Sequence, residues 1–277
     1  RLYGGDQEHR IKQELLAGIG GVRAIRAFTA VEGRPAPDVF HMNEGHAGFL
    51  GVERIREFMT ADKLDFDTAL TVVRSSTVFT THTPVPAGID RFPVEMVQRY
   101  FGDDSAAGLL PGVPAQRVLA FGAEDDATKF NMAHMGLRLA QRANGVSLLH
   151  GRVSRTMFEE LWPGFDPAEV PIGSITNGVH APTWAAPVWL ELGRELAGST
   201  EALREPHVWQ RLQQVDSGHI WWIRSQLRAK LVDDVRARLR RSWLERGASE
   251  AELGWIATAF DPDVLTIGFA LRVPTYK

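Results

Sequence analysis

The sequence predicts an α/β fold built on a parallel sheet. Short β-branched or apolar runs alternate with helical segments, and a polar loop follows each run, which is the pattern of repeated strand–loop–helix units. The chain has 277 residues, 44% of them hydrophobic and 23% charged, so it can bury a sizeable core. It contains no cysteine, which excludes a disulfide framework and thiolate metal sites.

The predicted elements follow one another in a regular order. The first is a helix over residues 7–25, which the glycine-rich stretch 18–21 interrupts. That stretch resembles a phosphate-binding loop, but no strand precedes it, so we interpret it as a break between two helical segments. The further elements are a strand at 37–40, helices at 47–60 and 66–73, a strand at 77–80, a helix at 124–144, a strand at 145–148, a helix at 150–161 and a strand at 171–176.

A long helix is predicted over residues 219–246, because apolar side chains recur there every four residues. Seven basic side chains also line it. We interpret them as a solvated helix face rather than a nucleic-acid patch, since the net charge of the chain is −3. The sequence has no apolar run that could span a bilayer and no visible signal peptide, so we expect no membrane partner. The absence of cysteine fits a cytoplasmic protein, which is the expected location.

The sequence ends on one more predicted buried strand, residues 264–269, followed by a loop with Arg272, Tyr276 and Lys277. Two interpretations of this loop stay open, a binding site for an oxyanion or an ordinary charged surface. No helix follows to complete the strand–loop–helix unit, and the chain begins without methionine. We therefore expect an interior piece of a larger protein.

Three polar clusters follow predicted strands, at residues 43–46, 81–83 and 176–180. Ligands of open parallel sheets bind outside the carboxyl ends of the strands, so the clusters are expected to share one cleft rim. Their hydrogen-bonding groups suit a polyhydroxyl ligand. For His82 a ligand contact and a purely structural hydrogen bond both stay open, and Asn177 with the glycine after it is also a turn signal.

The first cluster also invites a metal interpretation. His41, Glu44 and His46 have the spacing H-x-x-E-x-H. This differs from the helical H-E-x-x-H pattern, which places two imidazoles on one helix face. A metal-dependent hydrolase is therefore the less favoured alternative.

Several long segments resemble the bacterial α-glucan (glycogen, maltodextrin) phosphorylases, and they occur in the same order. The segments are 2–6 (LYGGD), 41–50 (HMNEGHAGFL), 79–88 (FTTHTPVPAG), 144–147 (NGVS), 174–180 (SITNGVH) and 272–277 (RVPTYK). The resemblance covers essentially the whole chain. Independent motifs in one register carry much more weight than any one of them alone.

The resemblance implies the GT-B fold, in which two Rossmann-like domains hold the active site between them. Residues 1–215 would belong to the N-terminal glucan-binding domain, and residues 216–260 would form the connecting helical segment. Residues 261–277 would begin the C-terminal domain, which binds cofactor and phosphate.

The reaction implied by the resemblance is phosphorolysis. Inorganic phosphate would attack the non-reducing end of an α-1,4-glucan and release glucose 1-phosphate with retention of configuration. The family carries pyridoxal 5′-phosphate, whose phosphate group relays a proton to the substrate phosphate. A homodimer is expected for the full-length protein, and no nucleic-acid partner.

Three matched residues carry catalytic roles in the family. His82 matches the histidine that hydrogen-bonds the transferred glucose, while Arg272 and Lys277 match cations that hold the substrate phosphate. Leu271 departs from the pattern, because the family usually has a second basic residue there. The cofactor lysine is expected beyond the end of this chain and the glycine-rich loop before its start, so the chain alone is expected to be inactive.

Four further positions match substrate-binding residues. Asn177 matches the asparagine on a glucose hydroxyl, and Tyr276 lies in the phosphate loop. Glu44 and His46 match polar residues on the glucan side of the site. A non-catalytic glucan-binding fragment remains the alternative from another class. A glycogen synthase would share the architecture, but the segment shows no nucleotide-sugar contacts.

Overall fold

The structure, a computed structural model, describes residues 6–102, 108–199 and 201–269. The chain divides into two units, one ending at Asn177 and one beginning at Gly178. The helices are α1 Gln7–Leu15, α2 Gly21–Val31, α3 Phe49–Ala61, α4 Phe66–Ser75, α5 Val94–Phe101, α6 Ala115–Phe121, α7 Met132–Leu139, α8 Leu148–Met157, α9 Ala181–Trp184, α10 Pro187–Ala197, α11 Pro206–Gln210 and α12 Ser217–Glu245. The strands are β1 Phe40–Asn43, β2 Thr77–Thr81, β3 Arg91–Pro93, β4 Lys129–Asn131, β5 Arg142–Gly145 and β6 Ile172–Ser174.

The first unit is built on a four-stranded parallel sheet, which confirms the predicted fold class. The strand order is β1-β2-β5-β6, with Phe40 opposite Thr77 and Thr80 opposite Asn144. Helices connect successive strands, as parallel pairing requires. All four strands therefore end at one edge, and the loops after them lie side by side.

Aromatic and aliphatic side chains fill the core between this sheet and its helices. Phe79 of the second strand is fully buried, and so are Phe49 and Phe130 from neighbouring elements. The rings of Phe49 and Phe130 stack with centroids 6.3 Å apart. Each such ring removes a large apolar area from water, so these residues hold the strand ends in fixed positions.

The glycine-rich stretch near the amino terminus is not a loop. Residues Leu16–Gly20 form a π-helical turn that joins α1 directly to α2. Gly18 lies against α3, where a Cβ atom would be only 2.8 Å from the backbone nitrogen of Leu50. The predicted division into two helical segments is therefore confirmed, although the junction is itself a helical turn in which Gly18 allows close packing on α3.

The predicted helix over 124–144 is also wrong, because three elements share that range. β4 ends at Asn131, α7 follows at once, and β5 begins at Arg142. Asn131 accounts for the division, since its side chain accepts hydrogen bonds from the backbone nitrogens of Ala133 and His134 and so caps α7. The strand predicted at 145–148 lies earlier, as β5, and the strand predicted at 37–40 lies later, as β1.

The second unit is helical. Its long helix α12 agrees with the helix predicted over 219–246, and the carboxylate of Asp216 accepts from the backbone nitrogen of His219 to cap it. The 3₁₀ segment Glu250–Thr258 packs on α12, where the rings of Trp243 and Trp255 meet edge to face at 6.1 Å. No helix among the described residues is both long and apolar enough to cross a membrane.

The buried strand predicted at 264–269 is wrong. These residues are irregular, and Leu265 and Phe269 are 84% and 86% exposed. A β-strand forms only where a neighbouring strand pairs with it, and within the described ranges none pairs with this segment. The assignment of residues 1–215, 216–260 and 261–277 to parts of a two-domain enzyme stays a prediction.

Candidate active site

The carboxylate of Glu44 joins the ends of the first two strands. Its Oε2 atom accepts hydrogen bonds from the backbone nitrogens of His82 and Thr83, at 2.7 and 3.0 Å, and from the Thr83 hydroxyl at 2.9 Å. Its Oε1 atom accepts from the backbone nitrogen of Gly45 at 3.0 Å. Hydrogen bonds to a charged acceptor are the strong ones. Glu44 therefore holds the loop that follows β2 against the end of β1.

Glu44 has a backbone conformation that ordinarily requires glycine. Its φ is 82° and its ψ is 165°. Such a conformation costs about 1–3 kcal/mol and persists only where the surroundings impose it. The four hydrogen bonds to the carboxylate do so here. Backbone strain of this kind is typical of functional sites.

The imidazole of His82 is exposed at the same edge and held by one neighbour. Its Nε2 atom hydrogen-bonds to Oδ1 of Asn43, the last residue of β1. Because an amide oxygen only accepts, Nε2 carries a proton and donates it to Asn43. The ring is therefore oriented before any ligand arrives.

His150 holds the same loop from its other side. Its Nδ1 atom accepts from the backbone nitrogen of Val146 at 3.1 Å, so the proton lies on Nε2, which is 3.2 Å from the carbonyl oxygen of Thr83. The side chain is buried. The sequence analysis predicted a helix that begins at this residue but did not single out His150. The available signal was Ser147, whose hydroxyl accepts from the His150 backbone nitrogen and so caps the start of α8.

The far end of the loop is also anchored. Arg91 donates through Nη1 to the carbonyl oxygen of Pro86 at 2.6 Å and pairs with Glu124 at 2.9 Å. Glu124 in turn accepts from Nδ2 of Asn131, the cap of α7, at 2.7 Å. The loop after β2 is therefore fixed at both ends.

Charged groups surround His46, which lies in the 3₁₀ turn after β1. Burial and then the positive charge of Arg10 hold the pKa of His46 below its ordinary value, so the ring is neutral at pH 7. Arg10 lies 3.0 Å from Oε1 of Glu14 and 2.8 Å from Oδ2 of Asp90. Burial first, and then the charge of Asp90, raise the pKa of Glu14 to about 9.

The Glu14→Gln variant is expected to gain stability relative to the wild type as the pH rises from 5 to 8. The unfolded carboxyl ionises near 4.5, whereas the folded one keeps its proton up to about 9, so the wild type loses stability across that window. Glutamine cannot ionise, and the difference between the two proteins should grow by about 4 kcal/mol from pH 5 to pH 8. Urea unfolding at both pH values measures it.

Glu8 provides a control of opposite sign. The hydrogen bond from Tyr100 is the main cause that lowers the pKa of the partly exposed Glu8 carboxyl. Its contribution is present above the unfolded pKa and is lost as the pH falls, so Glu8→Gln should lose stability at pH 8 rather than gain it. An unfolding midpoint for Glu14→Gln that tracks the wild type at every pH would contradict a protonated Glu14.

Asn177 lies at the same edge but two strands away from His82. It follows β6, and its backbone nitrogen donates to the carbonyl oxygen of Val146 at 3.1 Å. Its side chain is exposed. The structure thus brings Glu44, His46 and His82 together and places Asn177 farther along the rim. The predicted phosphate ligands Arg272, Tyr276 and Lys277 lie outside the described residues.

The metal interpretation has no geometric support. His41 does not point at Glu44, because its Nε2 atom lies 2.8 Å from the hydroxyl of Thr80, which donates to Oδ1 of Asn144 at 3.0 Å. The Glu44 carboxylate is occupied by four donors. In the described parts of the chain, no three His, Cys, Asp or Glu side chains are grouped so that they could hold a metal ion.

Comparison with known proteins agrees with the motifs at this edge. No family model matches the chain. It is 81% identical over 280 residues to glycogen phosphorylase of Mycobacterium tuberculosis strain H37Rv. This alignment covers 100% of the chain and 32% of that protein. It is 34% identical over 278 residues to maltodextrin phosphorylase of Thermococcus litoralis and 31% identical over 281 residues to glycogen phosphorylase of Aquifex aeolicus. These alignments also cover 100% of the chain, and 31% and 39% of the relatives.

The chain thus spans about a third of the length of these relatives. Alignment over every part of the chain, at up to 81% identity, agrees with the order of the motifs around Glu44, His82 and Asn177. The chain belongs to the glycogen and maltodextrin phosphorylase family.

Proposed function

We propose that the protein carrying this chain is an α-1,4-glucan phosphorylase. It transfers the glucose at the non-reducing end of glycogen or a maltodextrin to inorganic phosphate and releases glucose 1-phosphate. The observation that carries the proposal is the 81% identity to a glycogen phosphorylase along the entire chain. The preorganised imidazole of His82, at the edge where ligands of parallel sheets bind, supports it.

Each site residue has a role in this proposal. His82 hydrogen-bonds a hydroxyl of the transferred glucose, and Asn177 a second one. His46, neutral at pH 7, offers a polar contact on the glucan side. Arg272 and Lys277, with Tyr276 in the same loop, hold the substrate phosphate. Oriented groups of this kind stabilise a transition state because they need no reorganisation when charge develops.

The proposal includes the GT-B fold, a homodimer in the cytoplasm, and pyridoxal 5′-phosphate as cofactor. This cofactor is expected to be held by a lysine. The loops after β1, β2, β5 and β6 contain none, so these loops do not fit an attachment site. Proton transfer through the cofactor therefore belongs to parts of the protein outside these loops. The residues described here bind and orient the sugar.

In the full-length protein, maltoheptaose and inorganic phosphate are expected to yield glucose 1-phosphate, and His82→Ala should lower kcat/KM about 100-fold. The reason is the loss of a hydrogen bond that a fixed ring makes to the reacting sugar. A coupled assay of glucose 1-phosphate measures both rates. His41→Ala is the matched control, since that exposed histidine contacts only Thr80 among the contacts described, and its rate should stay close to the wild type.

Two outcomes would contradict the proposal. Sugar release that does not depend on phosphate would point to a hydrolase. Glucan binding without any turnover would favour a non-catalytic glucan-binding protein.

A further inference from the structure

We propose that His150 is a positioning residue that sets the place of His82 through the carbonyl group of Thr83. The role rests on the proposed function, because it acts on the residue expected to contact the transferred glucose. His150 lies 67 residues away from Thr83 in the sequence, on α8, and is not itself exposed to a ligand at the rim.

The hydrogen-bond geometry of His150 determines what its ring can do. Val146 donates its backbone N–H to Nδ1 at 3.1 Å, which leaves the proton on Nε2. That proton points to the carbonyl oxygen of Thr83 at 3.2 Å. The ring therefore connects the end of β5 to the loop after β2, with each nitrogen in a defined role.

The ring is rigidly placed because α8 begins very close to the sheet. A Cβ atom on Gly145 would lie 2.8 Å from Nδ1 of His150, and one on Gly151 would lie 2.9 Å from Cβ of Ser174. Glycine at both positions lets the helix approach β5 and β6 so closely. A ring bonded to the backbone just after β5 and to the loop after β2 cannot move without moving those segments.

His150 and Glu44 together hold the peptide groups around His82. Glu44 accepts from the nitrogens of His82 and Thr83, while His150 donates to the carbonyl of Thr83. The two contacts act on opposite poles of the same short segment, so they determine its rotation as well as its position. A shift of about 1 Å in a substrate-positioning group can lower a rate about 100-fold. Loss of the His150 contact should therefore affect turnover.

Two substitutions separate the contacts of the ring. His150→Asn keeps an amide oxygen where Nδ1 lies, so it still accepts from Val146, but it is too short to reach Thr83. His150→Gln places an amide nitrogen where Nε2 lies and restores the donor to Thr83. We expect His150→Asn to lower kcat of the full-length protein about 10- to 100-fold with little change in KM for phosphate. His150→Gln should recover most of that loss.

His134→Asn is the matched control. That ring is also buried in the same unit, but it contacts the carbonyl of Ala123 and the carboxylate of Glu160 rather than the loop after β2. It should lower the melting temperature and leave kcat close to the wild type at 25 °C. Equal kcat losses in His134→Asn and His150→Asn, or no recovery in His150→Gln, would overturn the positioning role.

Hydrogen exchange gives a second readout that does not need turnover. In His150→Asn, amide exchange in the peptide spanning residues 80–88 should accelerate about tenfold, and in His134→Asn it should not. Unchanged exchange there would overturn the proposal even if the enzyme is active. Absence of phosphorolysis in the wild type would overturn the proposed function alone, and exchange would still decide whether His150 holds the loop.

Discussion

Replacing Glu44 by alanine is expected to lower kcat/KM of the full-length protein about 100-fold and the free energy of unfolding by about 2–4 kcal/mol. The change removes all four hydrogen bonds to the carboxylate, three of which hold His82 and Thr83. The loss stays below the sum of four charged hydrogen bonds, because water reaches the half-buried site. Urea unfolding and the phosphorolysis assay measure the two effects.

Glu44→Gln and Glu44→Gly separate the effect of the lost hydrogen bonds from the effect of backbone strain. Glutamine can keep an oxygen toward His82 and Thr83, but its amide then faces the nitrogen of Gly45, so it should fall between the wild type and alanine. Glycine loses the same contacts as alanine but adopts a φ of 82° without strain. It should therefore be more stable than alanine by about 1 kcal/mol.

These variants also test the role that the sequence resemblance implied, a direct contact between Glu44 and the glucan. If Glu44 contacts the glucan directly, Glu44→Gln should raise KM for the glucan and leave the unfolding midpoint unchanged. If Glu44 instead holds the loop after β2, its replacement should lower the free energy of unfolding and kcat together. The occupied carboxylate favours the second result, since its acceptor positions already face four protein donors.

The sequence was informative wherever structure depends on local spacing. β2 was predicted from a β-branched run, α12 from its four-residue repeat, and the shared rim from polar residues after strands. It failed at β5, whose residues Arg142–Gly145 have little strand propensity and pair because β2 and β6 flank them. It also failed at residues 264–269, where an apolar run has no strand partner in the described chain.

The contacts between the candidate site residues could not be predicted from local sequence patterns either, because the partners are far apart in the sequence. Glu44 is 39 residues from Thr83, and His150 is 67 residues from it. Spacing within a motif identifies groups that can hydrogen-bond, but the fold decides which of them meet. Motif resemblance therefore pointed to Glu44 and His82 as candidate site residues without showing that one holds the other, and it did not point to His150.

Gly45→Ala is expected to lower the free energy of unfolding by about 2–4 kcal/mol and to reduce kcat with it. A Cβ atom at this position would lie 2.9 Å from the carbonyl carbon of Met132 and 3.0 Å from the nitrogen of Ala133. These are backbone atoms, so no flexible side chain can yield. The strain would pass to the adjacent Glu44, whose backbone is already in an unfavourable conformation.

Hydrogen bonds prevent the start of α7 from moving away from a methyl group at position 45. The Gly45→Ala variant therefore tests whether the site is rigid. Met132 donates its N–H to the carbonyl of Asp90 at 3.1 Å, and Ala133 donates to the side chain of Asn131 at 2.9 Å. Gly21→Ala is the control, since no atom lies within 4 Å of its added methyl and α2 should gain about 0.5–1 kcal/mol. If Gly45→Ala unfolds at the wild-type urea midpoint, α7 has moved to make room for the methyl group. That result would contradict a rigid frame that fixes the positions of Glu44 and His82.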